Sequence, residues 1–146
     1  MEEQKKKLLV VCTGNTCRSP MAAALLSKIL EEKGLSGEYA ADSAGVAAFD
    51  FQPASENAVL AAKEEGFDLS EHRARRITME DLDGSELIFV MSQQHKARLA
   101  SVLPEAEEKL VVMDIPDPFG GDLPLYHECF AAIRSFFERY FEENPL

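Results

Sequence analysis

The sequence has no tryptophan and only three cysteines, Cys12, Cys17 and Cys129. An odd number of cysteines at irregular spacing argues against the paired disulfide framework of small secreted domains. The cysteines and the three histidines do not show the ligand spacing of a structural zinc site, so we expect no bound metal. Free thiols of this kind fit a reducing, cytoplasmic location.

Long apolar runs and a surplus of basic residues are also lacking. After the charged start, residues 1–7, the apolar run from Leu8 to Cys12 is too short for a signal-peptide core or a membrane span. The chain carries 15 lysines and arginines against 26 aspartates and glutamates, for a formal net charge of −11. Binding to nucleic acid or to an anionic membrane requires a basic face. We therefore expect neither as a partner, although a small site can still be locally positive.

No linker rich in glycine, serine or proline divides the chain, and it has no internal repeat or low-complexity tract. Its 146 residues match the usual size of one domain and are enough to bury a self-sufficient core. We expect one domain over residues 1–146. We expect the protein to be a monomer or a weak dimer.

Short apolar runs alternate with longer helix-forming segments along the chain. The runs 8–11 and 87–91 are apolar throughout, which is typical of strands buried on both faces of a parallel sheet. Strands are predicted at 8–11, 39–44, 87–91 and 110–113, and helices at 20–33, 57–65, 93–103 and 125–143, with a helical turn at 78–82. This alternation predicts an α/β fold with an open parallel sheet of about four strands and helices on both faces.

A polar loop, residues 12–18, lies between the first predicted strand and the first predicted helix. Ligands of parallel sheets bind beyond the carboxyl ends of the strands, where this loop is expected. Successive backbone N–H groups and a helix N-terminus form an anion site, and a guanidinium such as that of Arg18 matches two phosphate oxygens. We expect phosphate to be bound by Thr13, Gly14, Asn15, Thr16, Cys17, Arg18 and Ser19.

Individual residues of the loop have expected contributions. Gly14 permits unusual backbone conformations, and Asn15 tolerates the left-handed one. Ser19 is the expected N-cap of the helix, with proline at its first position. The positive surroundings favour a thiolate at Cys12, which is an in-line nucleophile beneath a bound phosphate. The alternative, a buried apolar Cys12 beside an ordinary surface Arg18, is disfavoured by the strand–loop–helix setting.

The segment from Cys12 to Pro20, CTGNTCRSP, resembles the signature of the low-molecular-weight protein tyrosine phosphatase family. The resemblance extends in the family's order to Ser43–Gly45, His72–Arg75 and Asp117–Gly121. It implies a flavodoxin-like, phosphotyrosine phosphatase I-like fold. The implied partner is a phosphorylated protein, the implied product is a phosphate ion, and no cofactor is needed.

The same resemblance implies roles for several residues. Cys12 would form a phosphocysteine intermediate, and Arg18 would hold the transferring phosphoryl group. Hydrogen bonds that support the loop are implied for Asn15, Ser19, Ser43 and His72.

The leaving atom needs a proton as its bond to phosphorus breaks. Asp117 is the best carboxyl candidate because it lies between two prolines, Pro116 and Pro118, and the resemblance assigns the same residue. Asp114 and Asp122 flank it as substitutes. The alternative is that Asp117 only begins a turn.

Thr16 and Phe119 bear on the substrate. Tyrosine-directed relatives usually carry an aliphatic residue in place of Thr16, and the threonine resembles the arginine-phosphatase branch. Phe119 followed by two glycines also resembles that branch, because tyrosine-directed members often have paired aromatics there. Met91–Ser92 departs slightly from the tyrosine-type pattern. We expect a protein phosphatase that favours phosphoarginine, with phosphotyrosine next.

Two other functions fit the sequence less well. An arsenate reductase on this scaffold needs two further downstream cysteines, and only Cys129 remains. A non-catalytic phosphate-binding module would not need the set of Cys12, Arg18 and Asp117. Both are less favoured than a phosphatase.

Weaker signals concern the remaining polar residues. A reversible Cys12–Cys17 disulfide would protect the nucleophile from over-oxidation, but Cys17 is equally explained as a small space-filling residue. We expect His95 on a solvated part of a helix and His127 on the surface. A basic cluster is expected to form a solvated patch, and it consists of Arg73, Arg75 and Arg76.

Overall fold

A computed structural model describes residues 4–146. The strands are β1 (Lys6–Cys12), β2 (Tyr39–Gly45), β3 (Leu87–Val90) and β4 (Leu110–Val112). All four are parallel and lie in the order β2-β1-β3-β4. The helices are α1 (Arg18–Glu32), α2 (Glu56–Glu64), α3 (Met79–Gly84), α4 (Gln93–Val102) and α5 (Leu123–Glu143), with a 3₁₀ helix at Pro104–Lys109. The predicted four-stranded parallel α/β sheet is confirmed.

Strand β1 is buried on both faces, and its side chains alternate between two cores. Leu8 and Val10 pack into the core that includes buried residues of α1, α2 and α5. Leu9 and Val11 pack into the opposite core, with residues of α3, α4 and the 3₁₀ helix. Successive side chains of a strand point to opposite faces, so a fully apolar strand requires cover on both sides. The prediction of helices on both faces is therefore confirmed.

The aromatic stripe of α5 faces the core. Phe130, Ile133, Phe137 and Phe141 are buried. The ring of Phe137 meets that of Phe89 on β3 edge to face, with centroids 5.3 Å apart. Such pairs add about 0.5–1.5 kcal/mol beyond the area they bury.

The start of α1 differs from the prediction. The helix begins at Arg18, and its N-cap is Cys17, which makes no side-chain capping hydrogen bond. The N-cap prediction for Ser19 is wrong, because its hydroxyl bonds to loop side chains instead. The helix ends at Glu32, one residue before the predicted end, and Gly34 follows with φ 72°.

Two further elements bear on the sequence prediction. The alanine-rich second strand is confirmed, since residues 39–45 pair with residues 6–12 over the full length of β1. The 3₁₀ helix at Pro104–Lys109 was missed. Within residues 4–146, no helix combines the length and the apolar composition needed to cross a bilayer.

Candidate active site

The loop between β1 and α1 lies at the carboxyl edge of the sheet. Strand β1 is central, with β2 on one side and β3 on the other. The chain therefore leaves β1 toward one edge and later crosses to the other. Crevices form at such a change of direction, and ligands of open parallel sheets bind there.

The Cys12 side chain lies at the end of β1 and is 3% exposed. Its Sγ atom is 2.9 Å from Ser19 Oγ, and it accepts a hydrogen bond from the backbone N–H of Asn15 at 3.3 Å. The Ser19 hydroxyl is free to rotate and can donate to the sulfur. Two donors can thus be directed at the sulfur, an arrangement suited to a cysteine nucleophile.

Asn15 holds the loop in shape through all of its polar atoms. It is fully buried and has a left-handed backbone, with φ 58°. Its Nδ2 donates to Ser19 Oγ at 2.8 Å and to Ser43 Oγ at 2.9 Å, and its Oδ1 accepts from the Arg75 N–H at 3.0 Å. The loop thus takes its left-handed residue at Asn15. The expected special conformation of Gly14 is not found, since its φ is not positive.

His72 contacts the same residue through the backbone. Its Nε2 lies 2.7 Å from the Asn15 carbonyl oxygen. Because a carbonyl can only accept, Nε2 carries the proton. Burial lowers the pKa of His72, and the bond to Asn15 partly opposes this shift. A neutral imidazole is therefore sufficient for this contact.

Arg18 and Asp117 meet beside Cys12. Arg18 is buried, and its Nη1 donates to the Ile115 carbonyl oxygen at 2.8 Å. Its Nη2 is 3.6 Å from Asp117 Oδ2. Asp117 Oδ1 accepts from the Phe119 N–H at 3.0 Å, while half of the aspartate side chain stays exposed. One edge of the guanidinium is thus anchored, and the carboxylate is held at the surface beside it.

These groups surround one cavity of about 340 Å³. Its lining includes the loop residues Cys12, Thr13, Gly14, Thr16, Cys17 and Arg18. The lining is completed by Ala47, Phe49, Gln52, Asp117 and Phe119. Asn15 and Ser19, which were also expected at the phosphate, are 0% exposed behind this lining. They are placed to support the loop rather than to touch a ligand.

Residues 7–144 match the family described as low molecular weight phosphotyrosine protein phosphatase. The chain belongs to this family. The resemblance of the Cys12 loop to the family signature is thereby confirmed. The protein is a protein phosphatase, and therefore a hydrolase that acts on phosphorylated proteins.

Known relatives of the chain are named as phosphatases of two kinds, for arginine and for tyrosine. The protein-arginine-phosphatase of Geobacillus stearothermophilus is 36% identical, with 94% of this chain and 95% of the relative aligned. The structure of a low molecular weight protein tyrosine phosphatase from T. tengcongensis has a TM-score of 0.88 at 36% identity, covering 95% of this chain and 99% of the other.

A third relative is the arginine phosphatase YwlE, solved as a cysteine-to-serine mutant with a phosphorylated active-site serine. Its TM-score is 0.86 at 30% identity, and the match covers 95% of this chain and 97% of YwlE. A phosphorylated side chain at the nucleophile position agrees with a covalent phosphoenzyme in this family.

The phosphatase has a buried histidine at its site that the sequence analysis placed in solvent. His95 is 8% exposed; its Nε2 is 2.9 Å from Thr13 Oγ1, and its Nδ1 is 2.8 Å from Ser92 Oγ. Burial lowers the pKa of His95, and the charges of Arg18 and Arg98 lower it further. The prediction was wrong because the first turn of α4 follows β3 at the carboxyl edge and so meets the loop. Ser92 three residues before His95, an N-cap spacing, was the available signal.

The basic cluster is also only partly solvated. Arg73 and Arg76 are exposed as expected, but Arg75 donates to Asp81 at 2.8 Å and to Asp42 at 2.8 Å. Although burial raises the pKa of Asp81, hydrogen bonds from Arg75 and Lys7 hold it well below its usual range. This ion cluster fixes the segment whose backbone N–H binds Asn15.

Cys17 lies in a buried cluster of hydroxyl groups. Its Sγ is 3.3 Å from Ser55 Oγ and 3.4 Å from the Tyr126 hydroxyl. Burial and the contact with Cys17 raise the pKa of Tyr126 to about 12, so the phenol is protonated at neutral pH.

His127 is partly exposed, and its Nε2 lies 2.5 Å from Glu64 Oε2, in agreement with its expected surface position.

Proposed function

We propose that this phosphatase removes phosphate from phosphoarginine side chains of proteins, with phosphotyrosine as its second substrate class. The observation that carries the proposal is the shared pocket of Cys12, Arg18 and Asp117, with the Cys12 sulfur held by donors from Asn15 and Ser19. We assign Cys12 as nucleophile, Arg18 as phosphate ligand and Asp117 as proton donor.

In the first step, the Cys12 thiolate attacks phosphorus in line with the bond to the substrate. The new S–P bond forms as the bond from phosphorus to the substrate nitrogen or oxygen breaks. Asp117 gives its proton to that leaving atom. The phosphoryl oxygens are bound by the loop N–H groups and by the guanidinium of Arg18, which stabilises the transition-state charge.

In the second step, water attacks the phosphocysteine. The Asp117 carboxylate takes a proton from the water as its oxygen bonds to phosphorus. The S–P bond breaks, which releases phosphate and restores the Cys12 thiolate. Both steps use only groups that line the pocket, with Asn15, Ser19, Ser43 and His72 supporting the loop.

The substrate preference rests on two residues of the pocket. The hydroxyl of Thr16 offers a hydrogen-bonding group to a planar guanidinium, where an aliphatic side chain would only pack against a ring. Phe119 supplies a single aromatic wall. A second aromatic at position 120 would be strained, because Gly120 has φ 79°, a left-handed conformation that bulky side chains rarely adopt. A pocket with one ring and one hydroxyl suits phosphoarginine.

Two phosphopeptides of the same sequence, one with phosphoarginine and one with phosphotyrosine, test the proposal. We expect kcat/KM to be higher for phosphoarginine in the wild-type protein. Thr16→Val keeps the shape of the side chain but removes the hydroxyl, so it should lower the ratio of kcat/KM for phosphoarginine to kcat/KM for phosphotyrosine. Thr16→Ser should retain this ratio. A wild-type preference for phosphotyrosine would refute the substrate assignment, and full activity of Cys12→Ser would refute the nucleophile.

We also propose a cytoplasmic location and a monomeric or weakly dimeric state. The three free, buried cysteines support a reducing compartment. Cell fractionation and light scattering over a concentration series test these two statements. Recovery in a membrane or secreted fraction, or a stable higher oligomer, would contradict them.

A reversible Cys12–Cys17 disulfide is a further proposal of ours for this site. Both sulfurs lie within one short loop that lines the pocket. Cys129 is a poor alternative partner, because burial raises the pKa of its thiol to about 12. Mass spectrometry after mild peroxide should find the Cys12–Cys17 bridge, and a Cys12 sulfinic acid without any bridge would leave Cys17 as a packing residue.

A further inference from the structure

Two tight turns border the mouth of the pocket; the first carries the exposed Phe119, and the second carries the exposed Phe49 and Phe51. In the first turn, the Gly121 N–H donates to the Pro118 carbonyl at 2.8 Å, and the third residue, Gly120, has φ 79°. In the second, the Gln52 N–H bonds to the Phe49 carbonyl at 3.4 Å, and the third residue is Phe51 with φ 73°. A positive φ at this position normally calls for glycine or asparagine.

Phe51 therefore has a strained backbone, and burial of its side chain does not offset the strain. A bulky side chain at positive φ costs conformational free energy that glycine does not. The Phe51 side chain is 80% exposed, so its ring gains little from burial in the free protein. Strain of this kind persists at positions that serve binding or catalysis.

The strained turn is held firmly to the active site. The N–H groups of Val46 and Ala47 donate to the carbonyls of Cys12 and Thr13, both at 2.9 Å. On the other side, the Phe51 N–H donates to the Ala74 carbonyl at 2.8 Å. The backbone that carries the exposed ring is thus anchored to the phosphate-binding loop. The turn is already ordered in the free protein, so binding costs little conformational entropy there.

The position of the ring points to the substrate chain as its partner. Phe49 and Gln52, the two ends of the turn, line the pocket that receives the phosphorylated side chain. The polypeptide that carries this side chain must cross the same mouth. Exposed aromatic rings are favoured anchors in protein interfaces, because they bury a large apolar area.

We propose that Phe51 is a docking residue that binds an apolar side chain of the substrate polypeptide close to its phosphorylated residue. The proposal rests on the proposed protein phosphatase function. It adds a contact outside the pocket that small substrates do not reach.

Phe51→Gly is the informative variant, because it removes the ring and also relieves the strain. We expect its thermal midpoint to be equal to or higher than that of the wild type. Hydrolysis of para-nitrophenyl phosphate should be unchanged. With a phosphoarginine peptide flanked by leucines, kcat/KM should fall about 10-fold, mainly through KM. With a serine-flanked peptide, kcat/KM of the variant should equal that of the wild type. Phosphotyrosine peptides with the same leucine and serine flanks provide a second series.

Val102→Ala is the matched control, since Val102 is an exposed apolar residue at the end of α4, outside the pocket lining. It should behave as wild type on every substrate. The proposal is overturned if Phe51→Gly retains full activity on the leucine-flanked peptides, or if it loses activity on para-nitrophenyl phosphate. If the wild type hydrolyses para-nitrophenyl phosphate but neither phosphopeptide series, the proposed function fails instead.

Discussion

At the scale of single residues, the site depends on the chemistry of one amide side chain. Asn15 offers two N–H donors and one carbonyl acceptor, and its partners Ser19, Ser43 and Arg75 come from three separate segments. An aspartate would have the same shape but no donor when ionised. The left-handed backbone adds a second reason for asparagine at this position.

Replacing Asn15 by alanine should weaken both stability and catalysis. The change leaves buried polar partners unpaired, and each such group costs about 1–3 kcal/mol. We expect the free energy of unfolding, measured in urea, to fall by roughly 3 kcal/mol. Activity should also fall at temperatures where the variant is folded. A variant with wild-type stability and activity would show that these hydrogen bonds are dispensable.

Replacing Asp117 by asparagine should slow the chemistry and spare the binding of phosphate. The amide keeps the size of the carboxylate but cannot deliver or take the proton. We expect kcat to fall roughly 10²–10⁴-fold, with little change in inhibition by inorganic phosphate.

Asp114→Asn is the control for this experiment, because Asp114 has φ 60° and asparagine tolerates that conformation. It should retain turnover. Unchanged turnover in the Asp117 variant would remove this residue from the mechanism.

At the scale of elements, the end of β2 fits closely against the loop that follows Cys12. A Cβ on Gly45 would lie 2.5 Å from the Thr13 carbonyl oxygen and 3.0 Å from the Asn15 nitrogen. Both neighbours are backbone atoms that cannot move without reshaping the loop. The last residue of β2 thus sets the shape of the loop that follows the neighbouring strand β1.

Gly45→Ala should therefore damage the site more than the fold. We expect the displaced loop to lose roughly 10-fold or more in kcat/KM, since small misplacements of reacting groups are costly. Gly37→Ala is a matched control, because nothing lies within 4 Å of a Cβ added there. Equal activities of the two variants would contradict the close fit.

At the scale of the whole molecule, an acidic protein binds an anion. The formal net charge is −11, yet Arg18 and the N-terminus of α1 meet at the loop. At physiological salt, charges farther apart than roughly 8 Å are largely screened. The local cation and the backbone donors therefore outweigh the distant carboxylates.

Stability should decline as the pH falls below about 6.5. The pKa values of His72 and His95 are lowered in the folded state, mainly by burial. The unfolded chain therefore takes up these protons first. The loss is up to about 1.4 kcal/mol per pH unit for each histidine, while above this range their contribution is constant.

Urea unfolding at a series of pH values from 8 to 5 measures this slope. His72→Gln should reduce it, and the double variant with His95→Gln should reduce it further. A flat profile in the wild type would show that the buried histidines accept protons in the folded state. The lowered pKa of Asp81 acts in a separate window, since its stabilisation is lost only at pH values below the ordinary aspartate range.

The sequence alone determined the local structure of the molecule, that is, the succession of strand, loop and helix around Cys12. The apolar run of β1, the polar loop after it and the helix after that follow from periodicity and from residues a few positions apart. The spacing of Cys12 and Arg18, which lie in one loop, carries the anion site in the same way. These features were predictable because their interactions connect near neighbours in the chain.

The tertiary structure decided which distant residues complete the site. His95 reaches Thr13 across 82 positions, and Arg75 reaches Asn15 across 60. The N-cap spacing of Ser92 and His95 is a local signal, but neither long-range contact has one, because each depends on how strands separated in sequence become neighbours in the sheet. The exposed turn at Phe51 follows the same logic, since the Phe51 N–H bonds to the distant Ala74 carbonyl and this contact overrides the local preference of the residue.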